Sequence, residues 1–236
     1  MKKTYLVANW KSNKTPMEAS SWVDQVKPKL SQLSPNLETV LCVPLIHMEL
    51  IRQKLPLSKI GAQNISTYPD GAYTGEVSAR MLAPLVNYAL VGHSERRRHF
   101  HETSTEIALK VTQALDNNII PIVAVSGQNW LEQFNHFQPH ELSRCLIMYE
   151  PPEAISRQTG PVGEGDAAPV EEVLPIIAQI KRSAPNSPVL YGGSVKSHNI
   201  AKYLEAKIID GVVPGSASLN AEEWLRLMAI SQEIRG

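Results

Sequence analysis

Residues 104–127 read STEIALKVTQALDNNIIPIVAVSG, and two periodicities follow one another within them. Ile107, Val111 and Leu115 recur every four residues, which stacks them on one face of a helix, and Ser104 at the front is of the residue type that caps helix starts. The run IIPIVAV at 119–125 is then apolar with little alternation. A strand with one face in water alternates polar and apolar side chains, so an unalternating run reads as a strand buried on both faces, as in a parallel sheet.

The same pair of signals recurs along the chain. Apolar runs stand at 5–8 (YLVA), 39–43 (TVLCV), 88–91 (YALV), 145–149 (CLIMY), 188–191 (PVLY) and 211–213 (GVV), and GAQN at 61–64 ends a short further strand, which makes eight. Helical spacing fills most of the gaps: 16–33, where Trp22, Val26 and Leu30 lie four apart behind Pro16, and also 170–183 and 221–234. After the fifth strand, SGQNWLEQFNHFQPHELSR leaves room for only a short helix before Cys145. No linker rich in glycine, serine or proline divides the chain. The expectation is one α/β domain over residues 1–236, either a closed (β/α)8 barrel or a doubly wound open sheet.

Lysine and arginine total 23 and aspartate and glutamate total 23, so there is no basic stripe to grip a nucleic acid and any anionic ligand must be caught locally. The two cysteines, Cys42 and Cys145, lie inside apolar runs and argue for a reducing, cytoplasmic setting rather than a disulfide framework. The apolar stretch near the N-terminus is broken by Asn9, Trp10 and Lys11, too short for a membrane span or a signal-peptide core.

Parallel α/β sheets collect functional groups where strands end and loops begin. Asn9 and Lys11 follow the first strand, Gln63 and Asn64 the third, His93, Ser94 and Glu95 the fourth, Glu150 the sixth, Gly192, Gly193 and Ser194 the seventh, and Gly215 and Ser216 the eighth. The glycine turns YGGSV and PGSAS bring backbone N–H groups close to a phosphate. Neither has the spacing of a dinucleotide fingerprint and no Walker A loop is present, so the ligand class is a small phosphorylated metabolite with no cofactor. Glu150, held before Pro151-Pro152, supplies a base; with a histidine and a lysine beside it, the set suits removal of a proton α to a carbonyl. No cluster has metal-ligand spacing, and His99 and His101 read as solvent or helix-start positions. Ser94 has no acid partner for a hydrolytic triad.

Taken together, ANWK at 8–11, GAQN at 61–64, GAYTGEVSARML at 71–82, VGHSERR at 91–97, YEP at 149–151, YGGSV at 191–195 and GSASL at 215–219 resemble the motifs of the triosephosphate isomerase family, in family order and across all eight units. The resemblance implies a single-domain TIM barrel that interconverts dihydroxyacetone phosphate and D-glyceraldehyde 3-phosphate through an enediolate. It implies Glu150 as base, His93 as electrophile, Lys11 as electrostatic stabiliser with Asn9 as its companion, and Glu95 as a partner of Lys11. Ser194, Gly215 and Ser216 would line the phosphate site, and Tyr191 would help latch a closed lid.

Four features depart from the family pattern. The lid after Glu150, PPEAISRQTGPVGEGDAAP, is longer; either Ser156 or Gly160 stands where a phosphate-binding N–H is expected, and Pro152-Glu153 is similar to an archaeal-type hinge. Ala124 and Gly127 replace a cysteine and a glutamate, with stability rather than chemistry expected to change. The curtailed fifth helix is similar to that of archaeal members that form tetramers, and Pro214 and Ser216 replace two small residues. The loop 64–79 reaches a neighbouring subunit in the family, where Thr74 would help hold its site, which implies a homodimer, with a tetramer left open. A long surface loop folded on its own barrel is the alternative. Two further readings differ in function: a non-catalytic sugar-phosphate binder, and an isomerase or lyase for another phosphosugar.

Overall fold

In the computed structural model, which describes residues 3–127, 129–152 and 167–236, the eight apolar runs are strands. They are β1 (Thr4–Asn9), β2 (Leu37–Cys42), β3 (Lys59–Ala62), β4 (Tyr88–Val91), β5 (Ile120–Ser126), β6 (Leu146–Glu150), β7 (Val189–Tyr191) and β8 (Gly211–Val212). Each pairs in parallel with the next, and β8 returns to β1 with Tyr5 opposite Gly211 and Leu6 opposite Val212. The sheet is therefore a closed barrel, and the open-sheet alternative is set aside.

Alternation along the strands divides the core in two. Val7, Val40, Cys42, Leu90, Ile122, Ala124, Met148 and Leu190 pack together inside the barrel. Their neighbours Leu6, Ala8, Leu41, Val91, Val123 and Ile147 point outward and join the helices. Both faces are dry, which is why the runs carry no polar alternation.

The helices are α1 (Pro16–Leu30), α2 (Met48–Lys54), α3 (Ala79–Leu82), α4 (Ser94–His99), α5 (Ser104–Asp116), α6 (Asn129–Phe134), α7 (Pro139–Leu142), α8 (Val170–Ser183), α9 (Ile200–Glu205) and α10 (Ala221–Arg235). Two boundaries differ from the sequence expectation. Thr103, not Ser104, caps α5: its hydroxyl accepts the Glu106 N–H while the Glu106 carboxylate accepts the Thr103 N–H. A reciprocal box needs its glutamate three residues after the cap, and only Thr103 meets that spacing. Helix α1 stops at Leu30 instead of reaching residue 33: Gln32 and Leu33 donate to carbonyls three residues back, at Lys29 and Leu30, a tighter turn that leads into Ser34-Pro35. The curtailed stretch after β5 holds two short helices, α6 and α7.

Closure depends on a close approach. A Cβ placed on Gly211 would lie 2.1 Å from the Tyr5 carbonyl oxygen, a backbone atom that cannot move without unpairing β1. Gly211→Ala is accordingly expected to lower the unfolding free energy by about 2–3 kcal/mol, the upper range for overpacking. Urea denaturation checks this, and an unchanged midpoint would show that β8 docks without that approach.

Candidate active site

The closed barrel turns the C-terminal strand ends toward one mouth. Asn9 is the last residue of β1 and Glu150 the last of β6, while Lys11, His93, Ser194, Gly215 and Ser216 lie within a few residues of their strands. Asn9, Lys11, His93, Glu95, Glu150, Ser194, Gly215 and Ser216 all line a single pocket. Tyr191 does not: it is fully buried, stacked 4.0 Å from Tyr203, and its hydroxyl accepts the Ala168 N–H at 3.1 Å. Thr74 stands exposed in the 64–79 loop, and Ser156 and Gly160 lie outside the described residues.

His93 is the N-cap of α4, and its Nδ1 accepts the Glu95 N–H at 3.2 Å. A backbone amide can only donate, so Nδ1 carries a lone pair and the ring proton sits on Nε2. That Nε2 faces the Glu150 carboxylate at 3.1 Å, and the second Glu150 oxygen accepts the Ser94 N–H at 3.2 Å. Both side chains are buried.

The two groups tune one another. Burial, the largest influence, pushes the His93 pKa down, but the facing Glu150 carboxylate and, less strongly, Glu95 push it up, and the net shift is upward. For Glu150, burial pushes the pKa up while the His93 ring and the Ser94 amide together hold it below the usual carboxylate value. The carboxylate therefore stays ionised despite its burial, at the cost of some basicity as long as the His93 contact is made.

Lys11 sits beside this pair in a strained backbone. Its φ is 51°, in the left-handed region that a residue with a Cβ rarely adopts. Asn9 Oδ1 accepts the Lys11 N–H at 3.1 Å, and Gln63 Nε2 donates at 3.0 Å to the carbonyls of both Lys11 and Cys42. The Lys11 ammonium then meets Glu95 at 2.6 Å. Asn9 is therefore a backbone anchor as well as a pocket residue.

The seventh strand's glycine turn is fixed by what lies under it. A Cβ on Gly193 would come within 2.1 Å of the Tyr191 hydroxyl, so only glycine lets this turn settle onto β7 and bring Ser194 to the pocket. Ala124 lines the barrel interior, and Gly127, at φ 52°, lies near Pro152. His99 and His101 are exposed, and among the described residues no group of three or more histidine, cysteine, aspartate or glutamate side chains is arranged to hold a metal ion.

Two contributors were not assigned roles from sequence. Gln63 was visible only as a polar residue at a strand end, and its work of tying two loops together has no local signature. Arg97, within the VGHSERR run, donates to the Gly92 carbonyl at 2.9 Å and to Gln133 Oε1 at 2.8 Å, holding the turn that carries His93.

A sequence model of the triosephosphate isomerase family matches residues 4–231. The chain is 37% identical to a triosephosphate isomerase of Dehalococcoides mccartyi, with 96% of each chain aligned. It is 34% identical to that of Natranaerobius thermophilus, over 100% of this chain and 99% of the other, and 33% identical to that of Gloeobacter violaceus, over 97% and 98%. The chain belongs to the triosephosphate isomerase family and is an isomerase.

The mutual tuning of His93 and Glu150 can be measured directly. In Glu150→Gln the carboxylate that raises His93 most is gone, while burial and the Lys11 charge, both lowering, remain and only the weaker Glu95 charge still raises it. The His93 pKa is expected to fall relative to the wild type, followed by ring nitrogen shifts in an NMR titration. An unchanged or higher value would mean that Glu150 does not govern the ring.

Proposed function

We propose that this member of the family interconverts dihydroxyacetone phosphate and D-glyceraldehyde 3-phosphate, with Glu150 as base and His93 as electrophile. The observation that carries the reading is the facing pair itself: a buried carboxylate 3.1 Å from the Nε2 of an imidazole whose Nδ1 accepts a backbone N–H.

A substrate carbonyl entering the pocket takes the place of the carboxylate oxygen on His93 Nε2–H. Glu150, released from that contact, accepts the proton from the carbon next to the carbonyl. The electron pair moves into the carbonyl, and the resulting enediolate oxygen is held by Nε2–H. With Glu150 protonated or turned away, the larger of the influences that raised the His93 pKa is removed, and burial together with the Glu95 N–H on Nδ1 favours the neutral ring. This pairing of carboxylate and neutral imidazole, and the closing of a loop over it, are what the family is generally used to illustrate, so neither is a deduction from this chain alone.

Lys11 supports the negative charge that spreads over phosphate and enediolate, in surroundings where screening is weak. The phosphate end lies against Ser194, Gly215 and Ser216, at the two glycine turns after β7 and β8, with Ser156 reserved for the lid. Tyr191 serves as the lid's anchor through its bond to the Ala168 N–H, at the point where the chain returns to the barrel. Excluding water matters, because an enediolate beside a phosphate can expel that phosphate before it is reprotonated.

The working unit is a homodimer. Tyr68 and Tyr73, stacked 4.2 Å apart, join Leu45, Ile46, Met81 and Phe100 as exposed apolar side chains. A cavity of about 440 Å³ between the Leu45 and Phe100 regions opens next to Lys11 and His93 and would receive a partner's Thr74 loop. The reaction, run in either direction, serves glycolysis and gluconeogenesis, and the two buried free thiols, whose pKa values burial raises to about 12, suit a reducing cytoplasm. No helix among the described residues is long and apolar enough to cross a membrane.

The test is a coupled assay of glyceraldehyde 3-phosphate conversion. Glu150→Asp and Glu150→Gln are each expected to lower kcat by about 10²-fold or more, the range for a lost general base, while a triose-phosphate analogue still binds. Absence of turnover in the wild-type chain with tight analogue binding would replace the isomerase by a sugar-phosphate-binding protein. Sedimentation is expected to give twice the chain mass; a monomer that turns over at full rate would sink the partner-loop reading.

A further inference from the structure

The loop between β1 and α1 holds a second lysine in the left-handed region: Lys14, at φ 74°. Lys11 is held by the side-chain amides of Asn9 and Gln63, but Lys14 is held by the two units that flank β1, those of β8 and β2. Its ammonium donates to the Leu219 carbonyl at 2.7 Å, and its own carbonyl meets His47 Nε2 at 2.9 Å. The ammonium also lies 5.2 Å over the Trp10 ring. Burial, partly offset by Glu18, draws the Lys14 pKa below its usual value, as expected of a charge half withdrawn from water.

Leu219 ends the 3-10 turn Ser216–Leu219, which begins at the pocket. Its neighbour Ser218 offers its carbonyl to Trp22 Nε1 at 3.1 Å. The carbonyl end of this turn is therefore gripped by an indole and a cation, while the first amides of the turn, which have no acceptor within it, are the ones at the mouth. A cation at the carbonyl end of aligned peptides also favours the orientation that presents N–H groups to an anion at the other end. Trp10, Asn13 and Leu219 line the pocket, and Lys14 stands behind that wall without lining it.

We propose that Lys14 is a positioning residue for the phosphate turn: by holding Leu219 it sets Gly215 and Ser216 at the depth where they meet the substrate's phosphate. The proposal rests on the reading of that turn as the phosphate site. It explains why a side chain occupies a backbone conformation that glycine would adopt without strain.

Lys14→Gly separates the two roles a residue here can have, because glycine accepts φ 74° freely while removing the ammonium. Inorganic phosphate binding by calorimetry, KM and kcat for glyceraldehyde 3-phosphate, and the thermal midpoint are measured on the wild type, Lys14→Gly and Lys14→Arg. The expected result is a rise of about tenfold in both the phosphate Kd and KM for Lys14→Gly, the size of one charge-assisted hydrogen bond, with kcat falling much less. The midpoint is not lowered, and Lys14→Arg recovers most of the affinity. Wild-type Kd and KM in Lys14→Gly would overturn the proposal, as would an equal loss in Lys14→Arg, which would mean that a cation here does not hold the turn. If the wild type neither turns over triose phosphate nor binds phosphate, the brace falls together with the site it serves; if the wild type does both, only the variants decide.

Discussion

Gly211 lies against the Tyr5 carbonyl with no space for a side chain, and the closure of the sheet rests on that contact. In an open sheet the first and last strands would be edges far apart. Closed, they bring Asn9 at the end of β1 and Lys11 just after it to Ser216 beyond β8, and they let Lys14 reach Leu219. A site assembled from five strand ends exists only because a strand of two residues finds its way back to the first.

Closure also decides the electrostatics. The barrel interior beneath the site is apolar, from Val7 and Cys42 to Met148 and Leu190, so charges at its mouth are screened poorly. Burying ionised groups is costly unless each meets an opposite charge or a hydrogen bond. Here Glu150 meets His93 and the Ser94 amide, and Lys11 meets Glu95. The arrangement is not one that stability alone would favour: the strained Lys11 backbone needs both Asn9 and Gln63 to hold it. Strain of this kind at a reactive position is the usual sign that geometry has been selected for chemistry.

The strands were legible because burial on both faces removes polar alternation, and the site was legible because strand ends are where polar residues stand out against apolar runs. What could not be read has a common character. The choice between closed and open sheet turns on two residue pairs between β8 and β1, too few to leave a periodic signal. The roles of Gln63, Arg97 and Lys14 are contacts between segments far apart in sequence, and nothing local distinguishes Lys14 from a solvated lysine. The Ser104 cap was a local ambiguity between two adjacent hydroxyls, resolved by which of them has a glutamate three residues on. The lid positions Ser156 and Gly160 lie outside the described residues, so the sequence remains their only basis.

The central claim is that a proton leaves carbon for the Glu150 carboxylate and returns from it. Running the isomerisation in heavy water and locating deuterium in the product by NMR tests this directly. A proton that passes through a carboxyl group exchanges with solvent in part, so the account predicts deuterium on the carbon that receives the proton, and its loss when Glu150 is replaced. A product that carries no carbon-bound deuterium, even after many turnovers, would mean that hydrogen moves directly between the two carbons and would contradict the account.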